Sequence, residues 1–217
     1  GKIHRVTSTR ALQEDDTLAK LMIRRIVLQY DDTIRKNFGK QKYQDEIKHI
    51  ITYQRRNHFI RKLTLDLKGN TLVLYNYVEK HGKPLYENIK MHADEKRKIF
   101  FVSGNTATSD REAIRMIVEK QKNSIIVASL GTFSTGINIR NLHNIVFASP
   151  SKSQIRVLQS IGRGLRKTDN GKNTTLYDIV DDISWKSRKN YGILHADERL
   201  RIYGREKFTH KTYKVQL

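Results

Sequence analysis

Five short apolar runs, from residue 71 onward, constrain the fold more than anything else in the chain. They read TLVLYNY (71–77), IFFVS (99–103), SIIVAS (124–129), NIVFAS (144–149) and TTLYDIV (174–180). Each is apolar almost throughout rather than at alternate positions, which marks strands buried on both faces. Stretches with helical spacing lie between them, over 84–91, about 110–120 and 152–167. Strands of this kind, each followed by a helix, define an α/β fold: a parallel sheet with helices on both faces. Ligands of such sheets bind at the carboxyl ends of the strands. Chemistry is therefore expected around Asn76, Gly104, residues 129–138 and Ser149 onward.

Residues 1–68 have a different texture. LMIRRIVLQY (21–30) is rich in branched apolar residues and predicts a strand. From about 41 to 67, Tyr43, Ile47, Ile50, Ile51, Phe59, Ile60, Leu63 and Leu67 recur at helical spacing, predicting one or two amphipathic helices. The helical pattern ends and the apolar strands begin at Lys68-Gly69-Asn70, where a soft boundary is placed.

Charge narrows the partners. The 217 residues carry 42 Lys plus Arg against 22 Asp plus Glu, a net of +20. The segments 1–68 and 151–217 each carry +8, while 69–150 carries +4 and most of the apolar runs. The middle reads as core and the flanks as surfaces for a polyanion, nucleic acid first; basic flanks that only aid solubility are the plainer alternative. There is no cysteine, which removes disulfides, thiolate metal sites and cysteine nucleophiles together. No apolar run approaches the roughly 20 residues needed to span a bilayer, so an intracellular, cytoplasmic protein is expected.

Several chemistries are missing. The Gly-Lys pairs at 1–2, 39–40, 82–83 and 171–172 are not followed by Ser or Thr, and none has glycine five residues upstream. The chain has no P-loop. It has no G-x-S-x-G elbow. No two of its 8 histidines are spaced H-x-x-x-H. Asp181 and Asp182 suggest a metal-dependent nuclease, but adjacent carboxylates on a strand point to opposite faces, which favours a strand-end role.

Two stretches remain. In IVASLGTFSTGINI (126–139), a buried strand ends at Ser129 and turns through small residues that present Gly136 and Asn138. Small residues let backbone amides approach a phosphate, although a plain strand-to-helix turn would look similar. In QSIGRGLR (159–166), Gln159, Arg163 and Arg166 project from one helical face. Gly162 and Gly164 weaken that helix by roughly 1 kcal/mol each, which a merely solvated basic face would not require.

In this order and spacing, the two stretches resemble motifs V and VI of superfamily 2 helicases. Residues 70–77 resemble motif IV, and Val102-Ser103-Gly104 leading to Arg111 resembles the nucleic-acid-contacting turn after it. SLGTFSTGIN, NLHNIVFASP and LQSIGRGLRK are most similar to phage recombination helicases of the UvsW type. The resemblance implies a RecA-like second motor domain over 69–182, a connector and basic helical region over 1–68, and a basic helical tail over 183–217. ATP with Mg2+ would lie between this domain and an N-terminal RecA-like domain that holds the phosphates and metal. Arg163 and Arg166 would then act as arginine fingers, with Gln159 near the γ-phosphate. Gly136, Asn138 and Gly162 would meet the nucleotide; Asn138 stands where many relatives have aspartate. Gly104, Arg111 and Ser129 would grip one DNA strand. The implied function is an ATP-dependent DNA helicase or branch-migration motor, inactive as this fragment alone. An RNA helicase half, or a non-catalytic nucleic-acid-binding domain, stays open.

Overall fold

The computed structural model describes residues 21–38, 41–134, 139, 141–150 and 174–217. The predicted helix over 152–167, with Gln159, Gly162, Arg163 and Arg166, lies outside them, as do Gly136 and Asn138.

Seven parallel strands form one sheet, in the order β3-β4-β2-β5-β6-β1-β7. They are β1 (Leu21–Gln29), β2 (Thr71–Tyr75), β3 (Ile99–Val102), β4 (Ile125–Ser129), β5 (Asn144–Phe147), β6 (Thr174–Asp182) and β7 (Thr209–Gln216). The described helices are α1 (Asp32–Phe38), α2 (Tyr43–Thr52), α3 (Gln54–Asp66), α4 (Lys83–His92), α5 (Thr108–Lys120), α6 (Leu130–Ser134) and α7 (Tyr191–Arg205). None is long and apolar enough to cross a membrane.

The strand period sorts residues between two cores. Leu72, Leu74, Ile126 and Ala128 pack toward α5, α6 and α7. Val73, Tyr75, Ile125 and Val127 pack toward α2, α3 and α4. The continuous apolar runs thus fill both faces, which is why they do not alternate.

Beyond the five runs, the sequence reading needs one correction. Residues 183–217 are expected as a helical tail, yet only Tyr191–Arg205 is helical, and Thr209–Gln216 is a strand paired in parallel with β1. A largely polar run with two lysines and three β-branched residues (THKTYKVQ) suits an edge strand with little burial. The sheet consequently draws strands from all three segments divided at 68 and 182. β1 lies between β6 and β7, with Leu21 opposite Thr174 and Met22 opposite Thr209. Its two interior arginines are accommodated by partners: Arg25 pairs with Asp197 of α7 at 3.3 Å, and Arg24 stands over the Tyr177 ring at 5.7 Å.

The turn at 68–70 is tightly built. Gly69 has φ +91°, and a Cβ there would meet His143 Cγ at 2.6 Å. The buried Asn70 amide donates to the carbonyls of Val118, Gln121 and Asn141, and its Oδ1 accepts from Ser124 N–H at 2.8 Å. Farther along, Glu46 of α2 caps the first turn of α7, accepting from Tyr191 N–H at 3.0 Å and Gly192 N–H at 2.7 Å. A carboxylate suits the positive end of a helix.

Candidate functional site at the carboxyl ends of the strands

Because β3, β4, β2 and β5 are adjacent and parallel, their carboxyl ends form a row. It runs from Ser103-Gly104 through Ser129 and Asn76 to Ser149. Gly104 is exposed and Asn76 half-buried, whereas Ser103, Ser129 and Ser149 are buried.

After β3 the chain turns sharply. Ser103 N–H donates to Thr106 Oγ1 at 3.0 Å, and Thr106 N–H donates to Ser103 O at 3.1 Å. The Arg111 guanidinium, from the first turn of α5, donates through Nη2 to Gly104 O at 2.9 Å. Its Nε–H is buried without a partner among the described residues. Arg111 therefore clamps the turn that presents Gly104. A Cβ at Gly104 would meet nothing within 4 Å, so packing does not demand glycine there. Ser129 ends β4, the neighbour of β3, with Val102 opposite Ala128. Its hydroxyl bonds Thr132 Oγ1 at 2.6 Å and accepts from Thr132 N–H at 3.2 Å, capping α6. The structure brings Gly104 and Arg111 into contact and sets Ser129 on the adjoining strand. The other six candidate residues lie outside the described residues.

Beneath this row sits a buried polar cluster that the sequence reading passed over. Arg56 of α3 donates to Asp181 Oδ1 at 2.7 Å, to Asp181 Oδ2 at 3.0 Å and to Ala148 O at 2.7 Å. Tyr30 O–H donates to Asp181 Oδ1 at 2.9 Å. Both charged side chains are fully buried. Burial opposes the Arg56 charge, but Asp181 and Tyr30 together outweigh it, so Arg56 titrates above its ordinary range. Burial and then Asp181 push the Tyr30 hydroxyl well above its own. Asp181 is thus committed to Arg56, and Asp182 accepts from Ser184 N–H at 3.1 Å, the strand-end roles that their spacing favours. Among the described residues no three His, Asp or Glu converge as metal ligands. A signal for Arg56 existed: residues 56, 60, 63 and 67 fall on one helical stripe, so an arginine stood among core positions.

His81 completes the layer. It lies in a π-helical turn, Val78–Gly82, that leads from β2 into α4. Such turns cluster at functional sites. Gly82 is sterically required, since a Cβ there would come within 2.5 Å of the Tyr75 ring. The His81 Nδ1 lies 2.8 Å from Ser149 Oγ, which also accepts from Asn76 N–H at 3.0 Å. The ends of β2 and β5 are joined through that hydroxyl. Burial, then the Arg56 charge, pushes His81 down to about 3.

The sign of the consequence follows. The folded chain keeps His81 neutral to about pH 3, whereas the unfolded chain takes up the proton below about 6.5. Stability is full above pH 6.5 and falls with acid, by about 2 kcal/mol at pH 5 from this group. His81→Asn keeps a polar partner for Ser149. Urea unfolding at pH 7 and pH 5 should show an acid loss smaller by about that amount in the variant. Equal losses in the two proteins would show that His81 is not held neutral.

The chain matches known proteins at several levels. The helicase conserved C-terminal domain matches residues 54–168. The chain is 36% identical over 230 residues to the ATP-dependent DNA helicase uvsW of Enterobacteria phage T4, covering 100% of this chain and 45% of that protein. It therefore spans less than half of the relative's length. The crystal structure of T4 UvsW superposes with a TM-score of 0.80 at 35% identity, over 97% of this chain and 42% of that one. The ATP-dependent Type ISP restriction-modification enzyme LlaBIII shares the fold, with a TM-score of 0.57 at 14% identity, over 96% of this chain and 16% of that one. The sheet is RecA-like, as in these helicase domains. With residues 54–168 matched and the fold in agreement, the chain belongs to the helicase conserved C-terminal domain family.

Proposed function

We propose that this chain is the second motor domain of an ATP-dependent DNA helicase or branch-migration motor. The observation that carries the reading is the row of strand ends, Ser103-Gly104, Ser129, Asn76 and Ser149, in a chain similar along its whole length to a DNA helicase. Gly104 offers its backbone to one strand, Arg111 fixes the turn that does so, and Ser129, on the adjoining strand end, holds the start of α6 beside it. A grip of this kind follows the phosphodiester chain and ignores sequence.

ATP binds between this domain and an N-terminal motor domain. That first domain would supply the P-loop and hold Mg2+. Gly136, Asn138 and Gly162 approach the nucleotide from this side. Gln159 hydrogen-bonds near the γ-phosphate, and Arg163 with Arg166 neutralise the charge that spreads over the transferring phosphoryl group. Opening and closing of the cleft then moves the two strand grips relative to each other. Motifs V and VI serve DNA and RNA motors alike; the relationship to a DNA helicase favours DNA.

Binding of labelled oligothymidylate to the 217-residue chain tests the reading. Binding is expected to be weak and indifferent to sequence. If the chain neutralises about 5 phosphates, log K falls with log salt at a slope of about −3.5. The same preparation is expected to show no magnesium-dependent ATP turnover. A slope near zero, a strong sequence preference, or turnover abolished by Arg163→Ala would overturn the assignment of a half-site motor domain.

A further inference from the structure

Four arginines, Arg25, Arg56, Arg61 and Arg199, stand out as buried among the described residues. Three have carboxylates: Asp197 for Arg25, Asp181 for Arg56 and Asp178 for Arg199. Arg61 has none among the described residues. Only 8% exposed, it donates to the neutral atoms Asn88 Oδ1 at 3.2 Å and His58 Nδ1 at 2.9 Å, and its Nε–H is buried without a partner. A guanidinium drawn out of water ordinarily has an anion beside it.

Both partners of Arg61 line a groove of about 900 Å³ between the first turns of α3 and α4. The groove has an apolar floor that includes buried Ile51 and Leu85 and the half-buried ring of Phe59. Exposed Arg55, Lys62 and Lys80 stand on its rim, and no side chain lining it is acidic. Arg55 also meets Asp31 at 3.1 Å, in a pair more than half exposed on both sides and correspondingly weak. The positive field reaches His58, which is pushed below its ordinary range by burial and by Arg61 and Lys62.

We propose that this groove binds single-stranded nucleic acid, as a second strand contact separate from Gly104, Arg111 and Ser129. The proposal rests on the reading that the chain handles a nucleic-acid strand. Arg55 and Lys62 are two turns apart on α3, about 10 Å along the axis, a span longer than one phosphate. Basic groups along a groove with an aromatic ring in its floor are how single strands are held without regard to sequence, phosphates on the rim and a base on the ring. Arg61 supplies the field beneath, and the phosphates supply its missing anion. A bound strand would thus pass over the helical face of α3 and α4 as well as over the strand ends.

Lysine acylation of the 217-residue chain, read by mass spectrometry, tests this with and without oligothymidylate. Lys62 and Lys80 are expected to be protected several-fold by the oligonucleotide and unprotected by inorganic phosphate at the same phosphate concentration. In Lys62→Glu/Lys80→Glu the salt slope should become shallower by about 1.4, for two lost contacts. Phe59→Ala, with both lysines kept, should weaken binding several-fold without changing the slope. Unaltered labelling, or a double variant that keeps its circular dichroism and its slope, would overturn the groove while leaving the strand-end grip standing. Equal protection by inorganic phosphate would make it a small-anion site and overturn the strand. Protection that persists in Arg111→Ala would support the two contacts as separate.

Discussion

In the full-length protein, Arg163→Lys or Arg166→Lys is expected to lower kcat for ATP hydrolysis by on the order of 10²-fold, about 2.7 kcal/mol of transition-state stabilisation. The charge survives the change, but the planar fork of a guanidinium does not. DNA affinity without nucleotide should change little if, as proposed, the two act on ATP and not on the strand. Arg111→Ala should do the reverse, weakening DNA binding while sparing basal hydrolysis, since it removes the clamp on Gly104 O. Steady-state hydrolysis and oligonucleotide titration on the three variants decide the matter. Lysine variants that lose DNA affinity and keep basal turnover would invert the assignment of the two faces.

Arg56→Ala is expected to destabilise the domain by about 3–5 kcal/mol, because it strands the Asp181 carboxylate in a dry interior. The full burial of both side chains places the pair in that regime rather than among surface ion pairs. Asp181→Ala should be comparably harmful, leaving the Arg56 guanidinium and the Tyr30 hydroxyl without their acceptor. Arg56→Met combined with Asp181→Leu should lose far less than the two single losses added, since neither charge is then left alone. Urea denaturation of the wild type, Arg56→Met, Asp181→Leu and the double variant completes the cycle. Additive losses would show that the pair does not act as a unit.

The parts of the fold legible in the sequence were those fixed by local apolar pattern. The runs that became β2 to β6 announced a parallel sheet because they lack the alternation of a one-sided strand. β7 was illegible for the opposite reason: THKTYKVQ is an exposed edge strand, and its pairing with β1 is a long-range event that no local pattern encodes. Arg56 shows a similar gap. Its place on an apolar stripe was visible, but Asp181, which makes that place tolerable, comes 125 residues later. Within the candidate site, Gly104 and Ser129 stood out as small residues at strand ends, whereas Arg111 entered only through the resemblance to superfamily 2 helicases. Which way a hydroxyl or guanidinium there turns depends on local hydrogen bonds: Ser129 turns into the start of α6, and Arg111 turns onto the Gly104 carbonyl.

The placement of β1 between β6 and β7 bears on how the chain is made. A ribosome delivers β1 well before the strands that flank it, which pair at Thr174 and Thr209. At about 5–20 residues per second, β1 waits roughly 7–29 s for its first neighbour after emerging. Throughout that interval its apolar side chains and unpaired backbone are open to chaperones or to other nascent chains. A chain halted between β6 and β7 could pair β1 on one side only, turning an interior strand into a sticky margin. Synthesis through residue 216 is therefore what seals the sheet, and nascent chains stopped short of it are the ones expected to aggregate.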